Sequence, residues 1–74
     1  MTVSTDMPGI QIYTANYLCE PIPLKGGRSQ QAHTAVCLET QFAPDTPNHP
    51  AWPSCLMQVG ECYHRRTEFR FGCR

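Results

Sequence analysis

The chain has 74 residues, a formal net charge of zero and a charged fraction of only 16%. A chain of this length forms at most one small domain, and such domains bury only about 60% of the surface that the unfolded chain exposes. The hydrophobic fraction of 41% is too high for a disordered tail. Proteins that bind nucleic acid or membrane surfaces usually carry an excess of charge, so we expect neither partner.

A first alternating segment is GIQIYT, which follows a polar start over residues 1–8. Ile10 and Ile12 fall on one face and Gln11 and Tyr13 on the other, which predicts a β-strand. Two prolines and a Gly-Gly pair then predict a long loop that ends near residue 33.

A second strand is predicted over residues 34–41. Val36 and Leu38 share one face, and Cys37 and Glu39 share the other. The strand therefore carries one carboxylate close to its end.

The loop after this strand holds four prolines at three-residue spacing, which stiffen the backbone: Pro44, Pro47, Pro50 and Pro53. A rigid polar loop directly after a strand-borne acid indicates a site rather than a simple connection. Asn48 and His49 either line that site or pack the loop. Trp52 either stacks on a ligand of that site or, as the better interpretation, anchors the loop.

The last third of the chain predicts two further strands, over residues 54–58 and 62–71, joined as a hairpin at Gly60. No helix is predicted. The fold class is therefore all-β, with about four strands and long loops. Strands of this kind need neighbours to cover their edges and apolar faces, so we expect residues 1–74 to be part of a larger sheet and poorly folded alone.

Five cysteines are many for this length, but their odd number and their spacings of 18, 18, 7 and 11 residues match no disulfide framework. The start MTVSTDMPG also lacks the features of a secretory signal. We therefore expect free thiols, a cytoplasmic location and, without an apolar run of roughly 20 residues, a soluble protein. Zinc is a weaker alternative, because the paired spacing of zinc ligands is absent from the set Cys55, Cys62, His64 and Cys73.

Four stretches taken together resemble the C-terminal end of aldose 1-epimerases (galactose mutarotases): PGIQIYT, CLETQ, PDTPNHPAWP and CLMQVGECYHRRTEFRF. The resemblance covers residues 8–71. The Pro-Gly-Glu-Glu-Tyr turn of that family reads Val-Gly-Glu-Cys-Tyr here, so the turn proline and one glutamate are replaced.

The resemblance implies a β-supersandwich enzyme, of which residues 1–74 are a partial, C-terminal segment, that interconverts the α and β anomers of hexoses such as galactose and glucose. It implies a general base at Glu39, a contact between Gln11 and sugar hydroxyls, and no cofactor. The acid histidine of the family lies upstream, and His33, His49 and His64 do not match it. We therefore expect the missing N-terminal part of the fold as a partner, and no activity from the chain alone.

Two functions stay open on the sequence. The chain is either part of an aldose 1-epimerase or a non-catalytic carbohydrate-binding or interaction module derived from a mutarotase scaffold. Judged without the resemblance, Glu39 is more typical of a solvated strand end, and Gln11 of an ordinary strand surface. Heat on titration with galactose or glucose would favour the module.

Overall fold

A computed structural model describes all of residues 1–74. It contains four β-strands: β1 (Thr2–Thr5), β2 (Gly9–Tyr13), β3 (Cys37–Gln41) and β4 (Thr67–Arg70). They form two antiparallel pairs, β1 with β4 and β2 with β3. The only helical element is one 3-10 turn, Thr46–Asn48, inside the proline loop. The predicted all-β class, with about four strands and long loops, is confirmed.

Strand β1 lies where the sequence predicts only a polar start. Three of its four residues are β-branched, which favours an extended backbone. Val3 is its single apolar residue, so the segment shows no hydrophobic alternation. Its partner comes from the other end of the chain, with Thr2 opposite Arg70 and Thr5 opposite Thr67.

The predicted hairpin at Gly60 is wrong. Residues 54–58 form no strand, and the last strand is Thr67–Arg70 rather than residues 62–71. The turn itself is present: Gly60 has a φ of 91°, and the Glu61 amide donates to the Gln58 carbonyl over 3.1 Å. The two arms do not pair because β4 pairs with β1. Alternation predicts an extended backbone, but it does not specify the partner strand.

The pairing of β2 with β3 confirms the predicted faces. Gln11 lies opposite Glu39, and Tyr13 lies opposite Cys37. Side chains alternate across a strand, so Ile12 and its partner Leu38 lie on the other face of this sheet.

Threonine hydroxyls join the two sheets. Thr40 Oγ1 of β3 lies 2.6 Å from Thr67 Oγ1 of β4, which in turn lies 3.2 Å from Thr5 Oγ1 of β1. Thr5 Oγ1 also donates to the Arg66 carbonyl over 3.0 Å. These contacts place one end of β3 beside the β1–β4 pair.

The predicted loop between β2 and β3 is present. Its last part, at His33, contacts its first residues, Thr14 and Ala15. The Ala15 carbonyl accepts from the amides of Leu18 at 3.3 Å and His33 at 3.2 Å. A ring nitrogen of His33 also lies 3.0 Å from the Thr14 carbonyl oxygen. Ala15 is fully buried at this junction.

A packed core is almost absent from these residues. Only Ala15 and Thr46 are buried, and the radius of gyration is 16.8 Å. A compact domain of this length has a radius of gyration of about 11 Å. The backbone makes 20 internal hydrogen bonds, where a compact domain of this size makes about 50. No helix in the structure combines the length and the apolar character that a membrane crossing requires.

Candidate active site

The candidate site is built on one cross-strand pair, Gln11 of β2 and Glu39 of β3. The two residues lie directly opposite each other in the antiparallel register. Side chains in such a pair project from the same face, with Cβ atoms about 4.5–5.5 Å apart. The structure therefore brings together the two residues that the resemblance selects, although 27 positions separate them in the chain.

Both side chains are available to a ligand. Gln11 and Glu39 are exposed. The side-chain hydrogen bonds of the chain involve neither of them. An amide that donates and accepts, beside a carboxylate that accepts, is a pair suited to hydrogen bonds with neighbouring hydroxyl groups.

Gln41 is a third polar residue of this face, and the sequence interpretation did not select it. It follows Glu39 by two positions on β3, and it lies opposite Gly9. Gln11 and Gln41 both line a cavity of about 140 Å³ that reaches Ala43 and Pro44 of the proline loop. Period-two alternation from Glu39 was the signal that could have identified Gln41.

This cavity is too small to be a complete site. Pockets that enclose a small ligand are usually about 300–1,000 Å³. The cavity near Gln11 has less than half of that lower limit. The residues that line this cavity, which do not include Glu39, therefore do not enclose a small ligand.

Asp45 organises the start of the proline loop. Its φ of 65° is left-handed, a conformation that Asp adopts more readily than most residues. Its carboxylate accepts a hydrogen bond from the Asn48 side-chain amide and lies 3.1 Å from His49 Nε2. The Asn48 amide also donates to the Asp45 carbonyl over 3.0 Å. The polar groups of the loop thus bind one another.

Trp52 closes the same loop. Its ring stacks on that of His49, with centroids 3.9 Å apart and planes inclined by 16°. The Trp52 amide donates to the His49 carbonyl over 3.0 Å. Of the two interpretations that the sequence left open for Asn48, His49 and Trp52, these contacts support packing within the loop.

The three histidines lie in three different environments. His33 contacts the Thr14 carbonyl, and His49 pairs with Asp45. His64 lines a separate cavity of about 380 Å³ beside residues 54–57. None of their side-chain hydrogen bonds involves Glu39.

All five cysteines are free thiols. Cys55 and Cys62 line the same cavity as His64. No group of three or more histidine, cysteine, aspartate and glutamate side chains is arranged to hold a metal ion, so the zinc set weighed on the sequence does not come together.

The fold and this site define an all-β chain in which a glutamate and a glutamine face each other across two strands, next to a proline loop. Comparison with known protein families adds the family: residues 1–70 match the aldose 1-epimerase family. The chain belongs to the aldose 1-epimerase family.

Individual relatives agree with this assignment. The chain is 41% identical over 71 residues to the galactose mutarotase of Mus musculus. It is 38% identical over 73 residues to the aldose 1-epimerase of Haemophilus influenzae and 37% identical over 73 residues to that of Escherichia coli K12. Each of these matches covers 96% of this chain and 21% of the relative, so the chain spans about a fifth of the length of these proteins. No solved structure matches the chain significantly.

Proposed function

We propose that the chain supplies the base-bearing part of an aldose 1-epimerase, which interconverts the α and β anomers of free hexoses such as galactose and glucose. The observation that carries the proposal is the register of β2 and β3, which sets Gln11 directly opposite Glu39 in a member of this family. A pair formed by strand pairing is held more accurately than one on a loop.

In this reaction Glu39 removes the proton of the anomeric hydroxyl while an acid protonates the ring oxygen. The C1–O5 bond breaks, the ring opens to an aldehyde, and the C1–C2 bond rotates. Ring closure on the other face returns both protons. Acid and base each contribute about 10²–10⁴-fold to such a rate. Neither a metal nor a nucleotide is needed, and the acid role is assigned to no residue of this chain.

Gln11 takes the role of a sugar-binding group, with Gln41 beside it. The exposed amide of Gln11 both donates and accepts, which matches two vicinal hydroxyls. The proline loop forms the rim next to these residues, since Ala43 and Pro44 line the cavity that Gln11 and Gln41 share.

The remainder of the fold is the partner that this site requires. We propose that the chain alone is inactive, because a base without its acid and most of its sugar contacts loses the gain from positioning. A cytoplasmic location is also proposed, supported by the five free thiols. The alternative of a non-catalytic carbohydrate-binding or interaction module derived from a mutarotase scaffold is not favoured, because a module that folds alone needs a packed core and only two residues here are buried.

The test uses a chimera, in which this chain replaces the 71 matched residues of the murine galactose mutarotase. We expect the chimera to accelerate the polarimetric conversion of α- to β-galactose. Glu39→Gln should lower kcat by about 10²–10⁴-fold, because the amide cannot accept the proton. The matched control is Glu20→Gln, an exposed glutamate of the β2–β3 loop, which should leave kcat unchanged. A Glu39→Gln chimera as active as its parent would refute the base role.

A further inference from the structure

Two cysteines share one cavity on the segment that follows the proline loop. Cys55 and Cys62 both line a space of about 380 Å³. Cys55 is half-buried in it, and Cys62 is exposed. The other three cysteines of the chain do not line this cavity: Cys19, Cys37 and Cys73. Position therefore sets these two free thiols apart from the rest.

A turn between the two cysteines reverses the chain. The Glu61 amide donates to the Gln58 carbonyl over 3.1 Å, and the Glu61 carboxylate accepts from the Gln58 amide over 2.8 Å. Gly60 provides the positive φ of 91° that the turn requires, which glycine adopts without a steric cost. Cys55 lies shortly before this turn and Cys62 directly after it. The turn therefore brings both cysteines to the same cavity.

The backbone around both cysteines can adjust. Residues 53–58 and 61–66 form no helix or strand, and no backbone–backbone hydrogen bond involves residues 53–57 or 62–65. A disulfide needs Cα atoms about 4.4–6.8 Å apart. Segments without backbone hydrogen bonds reach such a geometry at little cost, whereas Cys37 is held in β3 by strand pairing.

We propose that Cys55 and Cys62 form a dithiol that hydrogen peroxide oxidises to a reversible disulfide. The exposed Cys62 reacts first: its thiolate sulfur attacks one peroxide oxygen, the O–O bond breaks, and the departing hydroxide takes up a proton to become water. The product at Cys62 is a sulfenic acid.

Cys55 completes the reaction. Its sulfur attacks the Cys62 sulfur, so the S–S bond forms, the S–O bond breaks, and the sulfenic oxygen leaves as water with the proton of the Cys55 thiol. The two thiols together lose two electrons, and one peroxide is reduced to two waters. Small thiols reverse the bond by exchange, which makes it transient in a reducing compartment.

Cys55 also links this dithiol to the proline loop. It lines a second cavity, of about 220 Å³, together with His49 and Trp52. The rings of these two residues stack with centroids 3.9 Å apart. A bond at Cys55 therefore changes the surroundings of Trp52, the only tryptophan of the chain. This redox chemistry requires neither Glu39 nor the proposed epimerase reaction.

Disulfide mapping of the 74-residue chain tests the dithiol. The reduced chain is treated with one equivalent of hydrogen peroxide, blocked with iodoacetamide and digested for mass spectrometry. In buffer we expect the Cys55–Cys62 bond to exceed the Cys62–Cys73 bond at least about tenfold, because the turn holds the first pair together before it reacts. In urea, loop-closure entropy alone favours the shorter spacing, 7 residues against 11, by only about twofold.

Trp52 fluorescence provides a second measurement on the same samples. Its emission should shift when the bond forms and return on reduction with dithiothreitol. Cys62→Ser should abolish both the bond and the shift. The matched control is Cys73→Ser, at another exposed cysteine, which should keep both.

Three results would overturn the proposal. They are equal bond ratios in buffer and urea, a predominant bond other than Cys55–Cys62 (between two chains included), and a fluorescence shift that persists in Cys62→Ser. An inactive chimera beside a selective Cys55–Cys62 bond would contradict the proposed function and leave the dithiol standing.

Discussion

At the scale of single residues, the Gln11–Glu39 pair divides the proposed work between binding and proton transfer. Glu39 has the proton-accepting group, and Gln11 has only hydrogen bonds to offer. The two roles therefore predict different kinetic effects, although the residues face each other across one pair of strands.

Replacing Gln11 with leucine in the chimera should lower kcat/KM for galactose by about 10–100-fold. The reason is that sugar hydroxyls buried without a partner cost about 1–3 kcal/mol, and each 1.4 kcal/mol corresponds to a factor of ten. Polarimetric initial rates over a range of galactose concentrations measure this change. Gln31→Leu, at an exposed position of the β2–β3 loop, is the control. Equal kinetics for Gln11→Leu and the parent chimera would remove Gln11 from the site.

At the scale of the elements, threonine hydroxyls hold the β2–β3 sheet against the β1–β4 sheet. Thr67 Oγ1 lies within hydrogen-bond distance of both Thr40 and Thr5, whereas Thr40 Oγ1 contacts only Thr67. Thr40 directly follows Glu39, so this contact also fixes the strand that holds the proposed base.

Thr67→Val should therefore lower the free energy of unfolding of the chimera by about 1–2 kcal/mol, and Thr40→Val by about 1 kcal/mol. The double variant should show a coupling of about 1 kcal/mol, since both changes remove the same hydrogen bond. Denaturant unfolding measures these values. Thr2→Val, on the opposite face of β1, is the control and should be neutral within about 0.5 kcal/mol. Strictly additive effects of Thr40→Val and Thr67→Val would contradict the inter-sheet bond.

The elements also mark how far the sequence could predict this structure. Strand β2 and the faces of β3 followed from alternation, because Ile10 and Ile12 give a clear apolar signal. Strand β1 did not, since it has a single apolar residue and depends on pairing with β4 at the other end of the chain. For the same reason the hairpin at Gly60 was predicted where none forms: partner choice is a long-range property.

The positions of the candidate site residues were predictable to a similar extent, and their roles stay a prediction. The resemblance selected Gln11 and Glu39, and alternation assigned their faces correctly. Their position opposite each other depends on register across a loop of more than twenty residues, which no local pattern encodes. The contacts of Asp45, His49 and Trp52 depend in turn on a left-handed backbone at Asp45, which the prolines around it did not predict.

At the scale of the whole molecule, the chain has the strand pairs of a β-sandwich but not its packed core. Its accessible surface of 6622 Å² exceeds the roughly 4600 Å² of a compact protein of this mass. Large apolar side chains such as Ile12 and Phe71 are more than half exposed. The molecule is therefore organised locally by strand pairs and turns, and it has almost no packed core.

The most direct test of this account is a polarimetric assay of the isolated 74-residue chain with α-galactose, run beside the chimera. We expect the uncatalysed rate for the isolated chain and acceleration for the chimera, because the proposed base acts only together with the acid and the sugar contacts that the chimera supplies. Acceleration by the isolated chain that disappears in its Glu39→Gln variant would contradict it.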